Sequence, residues 1–80
     1  MKVEVLGPGC RRCGVLYENV AAAIAELGVD AELVKVDALD QIMARGVLLT
    51  PALVIDGKVV SSGREPSQAR IMTLLRDAGA

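Results

Sequence analysis

Gly7-Pro8-Gly9-Cys10-Arg11-Arg12-Cys13 is the stretch whose reading decides the fold. It follows Val3-Glu4-Val5-Leu6, a short β-prone run closed by a Gly-Pro-Gly turn. It opens a helical pattern in which Cys13, Leu16, Tyr17, Val20, Ile24 and Leu27 recur at spacings of three and four, one face of a helix. Gly28 ends that pattern as a C-terminal cap. Two cysteines two residues apart therefore lie where a strand hands over to a helix.

Working outward, Ala31 to Val36 reads as a second strand, with Leu33, Val34 and Val36 as its apolar residues. Asp37 is placed to cap a short helix with Leu39, Ile42 and Met43 on its apolar side, and Gly46 ends it. Val47 to Pro51 is a connection, and Ala52-Leu53-Val54-Ile55 a third strand. Asp56-Gly57 is a strong two-residue hairpin turn, because both residues tolerate positive φ. Lys58 to Ser61 returns as the fourth strand. Ser67 is a good N-cap for a last helix that turns Ile71, Leu74, Leu75 and Ala78 inward.

The predicted order is β-α-β-α-β-β-α, an α/β domain. The first β-α-β unit requires a parallel, right-handed crossover, and the hairpin makes the last strand pair antiparallel. A four-stranded mixed sheet with helices on both faces follows. Eighty residues allow a single domain, 1–80. With 52% apolar residues the chain is rich enough to fold without staples.

Composition excludes several functions. Net charge is −1, and the nine Lys and Arg residues form no stripe able to track a phosphate backbone. One Tyr and no Phe or Trp leave almost nothing to stack on bases. Nucleic-acid binding is not expected. No apolar run approaches the roughly 20 residues needed to span a bilayer, and the N-terminus does not read as a signal peptide. The expected location is cytoplasmic, with no membrane partner and a monomeric state.

Cys10 and Cys13 are badly placed as a staple. Their bridge closes almost no chain, and a reducing cytosol would keep it open. They are well placed as a reactive dithiol. Cys10 falls at the helix start, where unpaired N–H groups and the helix dipole favour an anion. Arg11 and Arg12 add two cations beside it. Both effects should lower the Cys10 pKa below the free-thiol value of about 8.5. Cys10 is then the attacking nucleophile, and Cys13, one turn later and facing the core, the resolving thiol.

Thr50-Pro51 opens the third strand, and with it the whole chain resembles the thioredoxin and glutaredoxin superfamily. It is similar to the trimmed form that lacks the extra N-terminal strand and helix, and looks nearest to the short redox-active disulfide protein 2 type. The resemblance rests on Gly7 to Cys13, Thr50-Pro51, Asp56-Gly57 and Gly63. It implies a protein-disulfide oxidoreductase whose Pro51 is cis and sits beside the dithiol. It further implies that Thr50, Gly63 and Arg64 border the substrate groove, where Thr50 pairs with an extended segment by strand addition.

A disulfide-containing protein is the implied substrate, and a reductase such as thioredoxin reductase, or glutathione, the electron donor. No cofactor or metal is expected beyond the Cys10–Cys13 disulfide. The Arg-Arg pair departs from the family's usual dipeptides. Two cations stabilise the reduced thiolate, so the disulfide should be more oxidising than thioredoxin's. Pro66-Ser67-Gln68 matches a glutathione-binding helix start only weakly.

Glu4 stands six residues before Cys10, the spacing of thioredoxin's buried acid. Because Glu is rarely buried unpaired, the preferred reading is an exposed strand carboxylate facing Lys35 on the neighbouring strand. Tyr17 is read as a core residue. Two other functions fit the same cysteines. One is a soft-metal chaperone or sensor, although a closed zinc site needs four ligands and the chain has no His. The other is an interaction domain without turnover.

Overall fold

The computed structural model describes residues 1–9 and 11–80. The elements are β1 (Lys2–Leu6), α1 (Arg11–Leu27), β2 (Glu32–Val36), α2 (Leu39–Ala44), β3 (Ala52–Ile55), β4 (Lys58–Ser62) and α3 (Gln68–Asp77). The sheet order is β2-β1-β3-β4. β1 runs parallel to β2, with Val3 opposite Leu33 and Val5 opposite Lys35. It runs antiparallel to β3, with Val5 opposite Leu53. Both central strands lie between neighbours, which is why β1 is buried from Val3 to Leu6 and all of β3 is buried.

Strand alternation splits these buried residues between two cores. Val3, Val5, Leu53 and Ile55 face α1 and α3, where Leu16, Val20, Ala23, Ile71 and Leu75 close the larger core. Leu6, Ala52 and Val54 face the other way, onto Ile42 of α2, Val36 and Val47. Helices thus cover both faces. The α1 stripe is as its spacing predicts, with Tyr17, Ile24 and Leu27 half-buried at the edge of the larger core.

Local chemistry sets the element ends. Gly28 has φ +65° and donates its N–H to Ile24 O at 3.0 Å, closing α1. Asp56 and Gly57 both have positive φ, 48° and 83°, the twist that suits a two-residue hairpin. The Ser67 hydroxyl accepts from the Arg70 N–H at 3.2 Å and caps α3.

Three expectations about helix faces and ends are corrected. Asp37 is not the cap of α2. Ala38 holds that position with no side-chain bond, so the short helix depends on packing. Of its apolar residues only Ile42 is buried, while Leu39 and Met43 are each 64% exposed. Two turns of helix present a single residue squarely to the sheet, and the flanking positions fall to solvent. In α3, Ile71 and Leu75 are buried and Leu74 half-buried, whereas Ala78 lies past the helix end in solvent.

Candidate active site

The sheet delivers three segments to one place: the turn after β1, the first turn of α1 and the start of β3. Gly7 donates its N–H to Val36 O at 2.9 Å, so the turn leaves the sheet at a defined point. Cys13 then lies in the first turn of α1, 1% exposed and disulfide-bonded. Cys10, the expected nucleophile, lies outside the described residues. The Thr50–Pro51 peptide is cis, and Pro51 is buried.

Gly7 ties these pieces together. A Cβ built on it would fall on the Cys13 sulfur, 2.9 Å from Cys13 Cβ and 4.0 Å from Pro51 Cα. The inner sulfur of the motif therefore rests on a bare backbone, and Pro51 approaches the same point of Gly7. The Gly-Pro-Gly turn by itself does not reveal this contact. The need for glycine here is one of space, set by a helix and a strand distant in sequence.

The β4–α3 connection completes the site. Gly63 donates its N–H to Pro51 O at 2.9 Å, and its carbonyl accepts from Arg12 Nη2 at 2.7 Å. Arg12 Nε donates to Glu65 Oε2 at 2.8 Å. Asn19 Nδ2, farther along α1, donates to Pro66 O at 3.1 Å. On the other flank the Ser62 hydroxyl donates to Leu49 O at 2.9 Å. The carbonyls of Leu49 and Pro51 are thus both taken. The Thr50 backbone between them forms no hydrogen bond among the described residues.

Of the predicted site residues, Arg11 is exposed and has no ion pair among the described residues. Arg12 is not a free cation. Its guanidinium is bound to Glu65 and Gly63, a pairing the local sequence could not reveal because the partners lie 53 and 51 residues away. Both polar backbone groups of Gly63 serve this internal network. Arg64 is exposed and, with Arg70 and Ser67, lines a cleft of about 600 Å³ between β4 and the start of α3. Neither Cys13 nor Pro51 lines that cleft.

Glu4 corrects the preferred reading of it as exposed. It is 3% exposed, and its two oxygens accept from Arg45 Nη1 at 2.8 Å and Nη2 at 2.5 Å. Lys35 is not its partner. Lys35 is in register with Val5, and alternation puts Glu4 on the opposite face, beside α2. Arg45 is the C-cap of α2, where a cation also meets the negative end of the helix dipole. The hydrogen bonds from Arg45 hold the Glu4 carboxyl below its usual 4.5, against the desolvation that pushes it up. That direction opposes a neutral carboxyl held ready near pH 7.

Leu48 and Leu49, just before Thr50, are 92% and 63% exposed. No helix is long and apolar enough to cross a membrane among the described residues.

A family model described as a thioredoxin domain matches residues 1–76. A thioredoxin of Methanothermobacter thermautotrophicus is 39% identical over 75 residues, which cover 94% of this chain and 97% of the relative. A thioredoxin of Methanocaldococcus jannaschii is 40% identical over 74 residues, covering 92% and 85% of the two chains. A parallel β-α-β start, a buried cysteine at the head of α1 and near full-length likeness to two thioredoxins agree. The chain belongs to the thioredoxin family and has the family's general thiol–disulfide redox character.

Proposed function

We propose that this protein exchanges its Cys10–Cys13 dithiol with disulfides of other proteins. The observation that carries the reading is the seating of Cys13: a buried sulfur at the head of a 17-residue helix, lodged against Gly7, which Pro51 also approaches. A sulfur held there is shielded from solvent, and the motif spacing puts it one turn from Cys10.

In the reducing direction the Cys10 thiolate attacks one sulfur of the substrate disulfide. A mixed disulfide forms, and the first substrate sulfur leaves as a thiolate that takes a proton. Cys13 loses its proton and attacks the Cys10 sulfur. The second substrate thiol leaves, and two electrons have passed from the protein to the substrate. A dithiol reductase or glutathione then returns the protein to the reduced form. The Thr50 backbone, without a hydrogen bond among the described residues, supports docking of an extended substrate segment by strand addition, with Leu48 and Leu49 giving apolar contact. Arg64, exposed on the separate cleft between β4 and α3, is assigned as a contact for acidic substrates. The location that suits a reducing dithiol is the cytoplasm.

Trapping tests the reading. Cys13→Ser should accumulate a mixed disulfide through Cys10 when mixed with an oxidised protein substrate, and Cys10→Ser should not. Absence of a trapped species together with irreversible oxidation of the wild type would refute exchange. Stoichiometric zinc or copper in the protein as purified, held by the thiols, would favour the metal-carrier reading instead.

A further inference from the structure

The first turn of α1 is electrically unusual. It carries Arg11 and Arg12 and no acidic residue, where the positive end of the helix dipole favours anions. The missing anion arrives from another part of the chain. Glu65, in the connection between β4 and α3, reaches Arg12 Nε at 2.8 Å. Its side chain is 35% exposed and that of Arg12 54%, so the pair is open to solvent. Arg12 is also the residue before Cys13, and its second contact, Gly63 O, belongs to the residue that binds Pro51. Glu65 is therefore joined to the dithiol end of the molecule through a single guanidinium.

We propose that Glu65 is a positioning residue for the dithiol: by holding Arg12 against Gly63 it limits how much positive charge the first turn of α1 offers to a thiolate. The inference rests on the exchange function proposed above. With Glu65 present, the Arg12 guanidinium is held on a carboxylate and the Gly63 carbonyl, and Arg11 has no ion pair among the described residues. Without Glu65, Arg12 keeps only a neutral carbonyl, and its charge turns to the thiolate. The reduced form gains, and the disulfide becomes the stronger oxidant.

The test is equilibration with glutathione. One protein dithiol and one oxidised glutathione give the protein disulfide and two reduced glutathiones; two electrons leave the protein sulfurs, and both protons end on the released thiols. Glu65→Gln should shift this equilibrium about two- to fivefold toward the reduced protein, the range for an exposed ion pair. At 29.6 mV per tenfold change that is about 9–21 mV more oxidising. The pH midpoint for iodoacetamide alkylation of Cys10 should fall with it. Glu65→Ala, which removes the same charge, should move both readouts in the same direction.

In an Arg12→Gln background the effect of Glu65→Gln should shrink to less than half. A merely structural contact would lower stability and leave the potential and alkylation midpoint in place. Unchanged readouts in both Glu65 variants, or an equal shift with and without Arg12, would overturn the inference while leaving exchange intact. A wild type that forms no reversible disulfide would overturn both.

Discussion

The contact between Gly7 and Cys13 allows one substitution to be followed from geometry to measurement. In Gly7→Ala the new methyl would fall on the Cys13 sulfur and come within 2.9 Å of Cys13 Cβ. Ordinary carbon–carbon contact begins near about 3.5 Å, so Cys13 Cβ must retreat by at least roughly 0.6 Å. In the oxidised protein the disulfide stops the sulfur from swinging aside. The strain passes to the helix backbone, and Leu16 and Val20 of the same helix are fully buried. Overpacking of this kind costs about 1–3 kcal/mol.

Taking about 2 kcal/mol, Tm of an 80-residue domain should fall by about 8–16 °C. Gly14→Ala is the control, one residue past Cys13. Its Cβ meets nothing within 4 Å and its backbone is helical. Alanine there should add about 0.5–1 kcal/mol. Urea unfolding of both variants, held oxidised, reads the two effects on one scale. A Gly7→Ala protein as stable as wild type would refute the packing argument, as would a Gly14→Ala protein of equal or lower stability.

Glu4 gives a pH dependence. Its folded pKa is depressed by Arg45, so the unfolded chain binds the proton more tightly. Its contribution to stability is full above about pH 4.5, the unfolded value, and is lost as pH falls through the folded one. Urea midpoints of wild type and Glu4→Gln should differ most at pH 7 and converge under acid. Ser67→Ala removes the cap of α3 and should cost about 1 kcal/mol, a Tm drop of about 4–8 °C by thermal melting. Leu48→Ser, at a side chain left almost wholly in solvent, should keep stability within about 0.5 kcal/mol. Its turnover of a folded protein disulfide should fall more than that of a small disulfide, because only the former presents apolar surface to the loop.

Much of the site was legible because its parts are local. The cysteine pair, the arginines and the helix pattern are adjacent in sequence, and the end of α1, the β3–β4 hairpin and the start of α3 follow from cap and turn chemistry near them. Glu4 shows where that reasoning stops. Its spacing from Cys10 pointed to burial, yet general preference argued for exposure, because the decisive partner, Arg45, is 41 residues away. Arg12 repeats the lesson with the opposite sign. From its neighbours it reads as a free cation, and only a distant carboxylate shows that its charge is shared.

Read alone, the chain of 80 residues determined its element order, its parallel first crossover and its hairpin, and located Cys13 at the head of α1. Periodicity, caps and turns act over a few residues, so one dimension suffices for them. Folding decided that Gly7 must stay bare beneath a sulfur, that Glu4 is buried on Arg45, and that Glu65 holds Arg12. Those outcomes depend on which atoms from remote segments come within about 3 Å, the range over which hydrogen bonds and steric repulsion operate, and no local pattern carries that information.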